Sequence, residues 1–176
     1  DSERLQLGAL VYTGVRRTPV CALLEEADLK GQACPLAAEH FATTLDAWLL
    51  LEEIPENPDC LSTADGRPAT RRMAQDRLAR MLCLDPQELE EKDALSLARQ
   101  IALAQENKIS RAIGKIIEQG QPGGAFISGE GEFLALRALQ SLGLEDDLVT
   151  PMSRACEPAG SEAACAFALA RLAAES

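Results

Sequence analysis

Leu10-Val-Tyr-Thr-Gly-Val-Arg-Arg-Thr-Pro19 is the stretch on which the reading of this chain turns. An apolar run from Ala9 to Tyr12 meets a glycine, two arginines and a proline. Val11, Tyr12 and Val15 favour extended backbone, and Pro19 steers Thr18 before it away from helical geometry. The pattern predicts a strand that leaves a core and delivers Thr13, Gly14, Arg16, Arg17 and Thr18 to its end. Paired guanidiniums beside hydroxyls and a flexible glycine suit an anionic ligand, because Arg offers phosphate or carboxylate a rigid fork of donors. The same residues also suit a surface turn whose arginines pair with acidic neighbours, and such pairs contribute little.

The rest of the composition bears on that choice. With 176 residues the chain is long enough for one domain with a real core, and 47% hydrophobic content excludes a disordered tail. Aromatics are only 3%, so Leu, Ala, Ile and Val must fill the interior. A formal net charge of −11 excludes a generally basic nucleic-acid footprint. It also repels anions unless a site carries its own positive charge, which gives the arginine pair more weight. Six cysteines include no C-x-x-C pair, and His40 is the single histidine, so a structural zinc site is not expected. No signal-peptide pattern is present, so free thiols and a cytoplasmic location are expected. Cys21, Cys83 and Cys165 are read as small hydrophobes on helices. No apolar run reaches the length of a membrane span. The abrupt start, Asp1-Ser2-Glu3-Arg4 without an initiator methionine, suits the later part of a longer polypeptide, and engineering or proteolysis would look the same.

Beyond Pro19 the chain reads as mainly helical. A short helix is expected over 20–27, a polar connection over 28–35, and a helix over 36–53 with Phe41, Leu45, Trp48 and Leu49 on one face. Two prolines, Pro55 and Pro58, end it. A loop carrying the turn signal Asp65-Gly66 leads to a helix over 67–84, with Ala74, Leu78, Met81 and Leu82 as its apolar seam. Arg71, Arg72, Arg77 and Arg80 are expected on its solvated face. Asp85-Pro86-Gln87-Glu88 signals a helix start. Helix then runs to about Gln119, with a break near Glu90-Glu91-Lys92-Asp93 and with Leu97, Ile101, Ile109, Ile113 and Ile116 on its buried side. Gly120-Gln-Pro-Gly-Gly124 stops it.

Ala125-Phe-Ile-Ser-Gly-Glu-Gly-Glu132 then predicts a short buried strand, a glycine turn and a helix. Such a corner often receives a nucleotide, and Gly129 and Gly131 allow close approach to the backbone. It is not a phosphate-cradling Walker loop, since no Gly-Lys-Ser/Thr follows. Glu130 and Glu132 would repel phosphates, so contact with an adenosine part is the expectation. A tight turn between strand and helix explains the same glycines. An edge strand is expected at 148–151, and a last helix, capped by Ser161 and packed against a sheet, after Pro158.

Leu10 to Pro19, Ala38-Glu-His-Phe-Ala-Thr-Thr-Leu-Asp46, Thr63-Ala-Asp-Gly66 and Ile127-Ser-Gly-Glu-Gly-Glu132 occur in that order. Together they resemble the tetrahydromethanopterin-linked C1-transfer pathway proteins, relatives of hydantoinase A and of the methanofuran-precursor synthases. The resemblance spans essentially the whole chain. It implies a helix-rich α/β chain, the C-terminal half of an actin-like, sugar-kinase-like fold with ribonuclease-H-type sheets. Residues 1–19 would be a strand or hairpin of the sheet core and 20–120 a mainly helical insertion. Residues 121–176 would return to the α/β core with the glycine corner and a C-terminal helix.

In that family Asp-Ile-Gly phosphate loops precede the Tyr-Thr-Gly-Val segment, and they are absent from this sequence. The missing N-terminal half is therefore an implied partner. The implied reaction joins an aminomethylfuran diphosphate to a tyramine-derived phenol, with loss of diphosphate. Arg16, Arg17 and Asp65 are the implied catalytic group, with Asp65 holding Mg2+. Thr13, Gly14, Thr18, Thr44 and Asp46 would bind substrate, and Gly129, Glu130, Gly131 and Glu132 would meet ATP. His40, beside Phe41, is read as structural. Two other readings stand beside the transferase: an ATP-dependent kinase or hydantoinase-like enzyme of the same fold, and a non-enzymatic helical interaction domain. Fold alone does not choose among them.

Overall fold

The computed structural model describes residues 2–120, 122–144, 146–154, 156 and 158–175. The chain forms two compact units, Tyr12–Gln105 and the combination of Asp1–Val11 with Glu106–Ser176. Together they contain seven helices and four short strands among the described residues, a helix-rich α/β chain.

The Tyr12–Gln105 unit opens with the arginine stretch, and here the expected strand is absent: residues 9–14 carry no regular structure. Extended propensity needs a ladder to become a strand. The Gly14 N–H is instead held by the Thr18 hydroxyl of the same stretch, and its carbonyl by the side chains of Thr44 and Gln105. A single 3-10 turn, Val20–Ala22, replaces the helix expected over 20–27. A hairpin follows, β1 (Glu26–Leu29) against β2 (Gln32–Pro35), with Leu29 opposite Gln32. Its two loop residues, Lys30 at φ 56° and Gly31 at φ 83°, are both left-handed. That is the backbone a two-residue hairpin turn demands, and Lys at its first position hid the signal.

Helix α2 spans only Thr44–Leu50. It starts there because Thr43 is extended, at φ −128°, and Asp46 accepts the Thr43 N–H at 2.9 Å. This is half of a reciprocal cap, and it stops helix from growing back toward Leu36. Phe41 consequently lies outside the helix and is partly exposed, and His40 is exposed. All seven α2 residues are buried. Helix α3 (Arg71–Met81) packs against α2 and begins at Thr70, whose hydroxyl accepts from the Met73 N–H. The predicted seam Ala74, Leu78, Met81 and Leu82 is buried. Helix α4 (Glu91–Gln119) follows the turn at Asp85–Glu88 and contributes buried Leu97 and Ile101 to this unit. Each such leucine or isoleucine contributes about 1.5–3 kcal/mol through burial. Trp48 has no exposed surface and is the largest side chain in that interior.

In the other unit α1 (Ser2–Gln6) is a helix where the start of a sheet was expected. The second half of α4 carries half-buried Ile109 and Ile113, while Ile116 is largely exposed. Strand β3 (Ala125–Ile127), helix α5 (Glu132–Gln140) and strand β4 (Val149–Pro151) form a β-α-β unit, with the strands parallel and Phe126 opposite Thr150. Ile127, Leu139 and Val149 form its core, with Ile113, Leu136 and Leu144 against them. Gly124 passes so close to the Leu148 carbonyl that an added Cβ would lie 3.0 Å from its oxygen. Strand β3 is not buried as expected, since Phe126 is 89% exposed. Helices α6 (Pro158–Glu162) and α7 (Ala164–Glu175) end the chain. Contrary to expectation α7 does not lay its apolar side on a sheet: Leu169 and Leu172 are about two-thirds exposed. All six cysteines are free thiols, and Cys83 and Cys165 are exposed rather than packed. Cys83 lies just past α3, at φ 56°. No helix among the described residues is long and apolar enough to cross a membrane.

Candidate functional site

Four residues expected at a site, Thr13, Gly14, Thr18 and Thr44, are joined by one hydrogen-bond network in the Tyr12–Gln105 unit, and Asp46 and Asp65 by a second one. Thr18 Oγ1 accepts the Gly14 N–H at 3.0 Å and lies 3.0 Å from Thr13 Oγ1. The Gly14 carbonyl accepts from Thr44 Oγ1 at 2.7 Å and from Gln105 Nε2 at 2.9 Å. Gln105 Nε2 also reaches Thr13 Oγ1 at 2.8 Å, and Gln105 Oε1 accepts the Trp48 indole N–H at 2.9 Å. The Thr44 N–H donates to the Thr18 carbonyl at 2.9 Å. Thr44 thus holds the stretch from two sides, at the first turn of α2.

Two residues further along α2, Asp46 is completely buried and accepts from Arg77 Nε at 2.7 Å. Arg77 also has no exposed surface, against the expectation of a solvated face, and its Nη1 reaches Asp65 Oδ1 at 3.1 Å. Asp65 further accepts from Arg67 Nε at 2.6 Å and Arg80 Nη1 at 3.4 Å. Burial pushes the Asp46 carboxyl up to about 6, against the pull of Arg77. Burial would raise Asp65 too, but hydrogen bonds from Arg67 and Arg77 outweigh it and hold that carboxyl at about 2.

This geometry changes the part assigned to Asp65. With both oxygens engaged by three guanidiniums, Asp65 does not fit a divalent cation. Nor do the described residues bring three or more His, Cys, Asp or Glu together as a metal site. Asp65 and Asp46 are anchors for Arg77 and through it for α2. Asp46 has no exposed surface, and its carboxylate is engaged by Arg77 and the Thr43 N–H. Arg16 is half-buried and Arg17 exposed, both just beyond the tethered glycine. Arg67, Arg77, Trp48 and Gln105 were missed by sequence reasoning. Arg77 lay in the arginine-rich run, and only its spacing of three from Ala74 marked it as facing the seam.

The glycine corner lies in the other unit. Gly129, at φ 101°, donates its N–H to Ser161 Oγ at 3.0 Å. Glu132, the first residue of α5, accepts from the Ser153 N–H at 3.0 Å and from the hydroxyls of Ser153 and Ser161. Burial would raise the Glu132 carboxyl, but those hydrogen bonds lower it. Ser161 therefore ties the corner together instead of capping a helix. Gly131 precedes α5, and Glu130 is exposed. A hollow of about 210 Å³ in the Tyr12–Gln105 unit is lined by Leu49, Ile54, Pro55 and the Arg71 ion pairs with Glu52 and Glu56, none of them an expected site residue.

A model of the Hydantoinase/oxoprolinase family matches residues 1–176, and the chain belongs to that family. Two curated relatives, from Methanococcus vannielii and Methanocaldococcus jannaschii, are each 30% identical to it. Both are named (4-{4-[2-(gamma-L-glutamylamino)ethyl]phenoxymethyl}furan-2-yl)methanamine synthase. The matches cover 81% and 79% of this chain, but only 64% and 42% of the respective relatives.

Proposed function

We propose that this chain is part of an enzyme of methanofuran-type cofactor biosynthesis, and that its tethered arginine stretch takes the diphosphate leaving group. The observation that carries the reading is the fixation of Gly14: an exposed peptide whose N–H and C=O are both held by side chains, two residues before the arginine pair. A loop that only turned at the surface would not need a buried glutamine and a helix-start threonine to hold one carbonyl.

In the proposed reaction the phenol oxygen of a tyramine-derived substrate attacks the methylene carbon of an aminomethylfuran diphosphate. The new ether C–O bond forms as the bond from that carbon to the diphosphate oxygen breaks. The bonding pair leaves with the diphosphate, and the phenol proton passes to solvent. Negative charge grows on the departing oxygens, where the guanidiniums of Arg16 and Arg17, carried by the tethered stretch, stabilise it most. Thr13 and Thr18 hold the stretch, Thr44 holds it from α2, and Asp46 and Asp65 hold α2 and α3 through Arg77. The relatives' printed name, an aryloxymethyl-furan synthase, supports the same bond. Further contacts to the diphosphate are proposed to come from outside this chain, as is any metal ion. An actin-like architecture and an adenosine contact at Gly129–Glu132 belong to the proposal too. The open space beside Gly129, where an added Cβ would meet nothing within 4 Å, supports that contact.

The test is a pair of thermal-shift titrations on the natural polypeptide, with inorganic diphosphate and with ATP. Diphosphate raises the unfolding midpoint, and Arg16→Ala or Arg17→Ala weakens its binding about tenfold, the worth of one charge-assisted hydrogen bond. Unchanged affinity in both variants removes the arginines from the site. A shift with ATP that survives both substitutions but is lost in Gly129→Val assigns the nucleotide to the corner.

A further inference from the structure

We infer that Gln105 is a positioning residue for the arginine stretch, a role no motif in the sequence announces. The inference rests on the reading above that this stretch takes diphosphate. Gln105 has no exposed surface and lies 91 residues from Gly14 in sequence, so it touches no ligand. Its amide has one workable orientation. The Trp48 indole can only donate, so Gln105 must turn its oxygen there. The NH2 group then faces Thr13 and Gly14, and both its hydrogens find acceptors, at 2.8 Å and 2.9 Å.

The remaining protons follow in one consistent order. Thr13 Oγ1, having accepted from Gln105, donates to Thr18 Oγ1. Thr18 Oγ1 accepts the Gly14 N–H as well and turns its own proton toward the Gly14 carbonyl. Thr44 gives the second strong bond to that carbonyl. The direction of the whole ring is set by one immobile amide, itself aligned by a buried indole. Reversing the amide would set its carbonyl oxygen against that of Gly14, and buried acceptors without donors are costly. Gln105 therefore fixes which way the Gly14 peptide faces, and with it where Arg16 and Arg17 leave the surface.

The distinguishing variant is Gln105→Glu. An ionised carboxylate keeps the bond from Trp48 but cannot donate to Gly14. A protonated one has a single proton to donate where the amide has two, so the defect reverses in part in acid, and burial sets that reversal above the usual glutamate range. Gln105→Leu loses both functions at every pH. The experiment measures hydrogen–deuterium exchange by mass spectrometry and diphosphate affinity by calorimetry, in the natural polypeptide, for both variants across pH 5–8. Each value is taken as a ratio to wild type at the same pH, which cancels the diphosphate's own protonation.

At neutral pH, amides of residues 13–18 exchange about tenfold faster in both variants and diphosphate binding weakens about tenfold, while α3 amides keep their protection. Toward pH 5 Gln105→Glu recovers part of the lost protection and affinity, and Gln105→Leu recovers none. Wild-type exchange at residues 13–18 in both variants overturns the inference. So does a loosened stretch that binds diphosphate as before, or loss of protection in α3 to the same degree. If wild type binds no diphosphate, the functional reading above fails, and the exchange ratios still decide whether Gln105 holds the stretch.

Discussion

The Asp46–Arg77 pair concentrates the residue-scale consequences, because both partners are sealed from water. Burying two charges is costly, and the pair is tolerable only while each has the other. Arg77→Leu leaves Asp46 uncompensated and is expected to cost about 3–5 kcal/mol in urea unfolding. Replacing both, as Asp46→Leu with Arg77→Met, recovers most of that loss, which a double-mutant cycle measures directly. Asp65 gives a pH dependence of definite sign. Its folded value of about 2 lies below the 3.8 of an ordinary aspartate, so its contribution is present above pH 3.8 and is lost as pH falls toward 2. The shift corresponds to about 2 kcal/mol. Asp65→Asn is therefore less stable than wild type at pH 6, and the two stabilities converge near pH 2. Asp46, raised to about 6 chiefly by burial and in part by the Asp65 charge, acts in the opposite sense and disfavours the fold as pH rises from 3.8 through 6, so the convergence is read below pH 4, where Asp46 is protonated in both proteins. Thr13, Gly14, Thr18, Thr44, Asp46 and Asp65 could be picked from short motifs because hydroxyls, a glycine and acids stand close together there. Arg77 and Gln105 could not, since what distinguishes them is burial against partners 31 and 57 residues away.

At the scale of elements, backbone conformation decides more than side-chain periodicity. The hairpin depends on Gly31, whose φ of 83° favours glycine and which has open space around it. Gly31→Ala is thus a pure backbone change and is expected to cost about 1 kcal/mol in chemical unfolding, with no change in α3. Local signals of this kind explain which elements were legible. The glycine stop after α4, strand β3 and helix α5 all follow punctuation written in adjacent residues. Apolar spacing runs on through Ala42 and predicts a longer α2, but the Asp46 bond to Thr43 overrules spacing. The strand expected at residues 9–12 failed for another reason: Val11 and Tyr12 favour extension, but pairing is a property of a neighbour. Tyr12 is 75% exposed, so nothing apolar holds that stretch against a sheet.

For the molecule as a whole, the two units differ in what they bury, while both expose apolar side chains. One carries the buried ionic network together with exposed Tyr12, Leu61 and Leu103, and the other carries exposed Phe126, Leu169 and Leu172. Leu169→Lys with Leu172→Lys is expected to leave the unfolding free energy within about 0.5 kcal/mol and to raise solubility, as read by concentration limits under light scattering. That division was not legible in the chain, because α4 runs through it without a break and offers no linker composition to mark it. The six free thiols carry a practical corollary. With no internal crosslink to reform, a reduced sample recovers from urea without any oxidant. In air, Cys83 and Cys165 stand open to oxygen and to other copies, so ageing produces covalent dimers that a reducing gel dissolves.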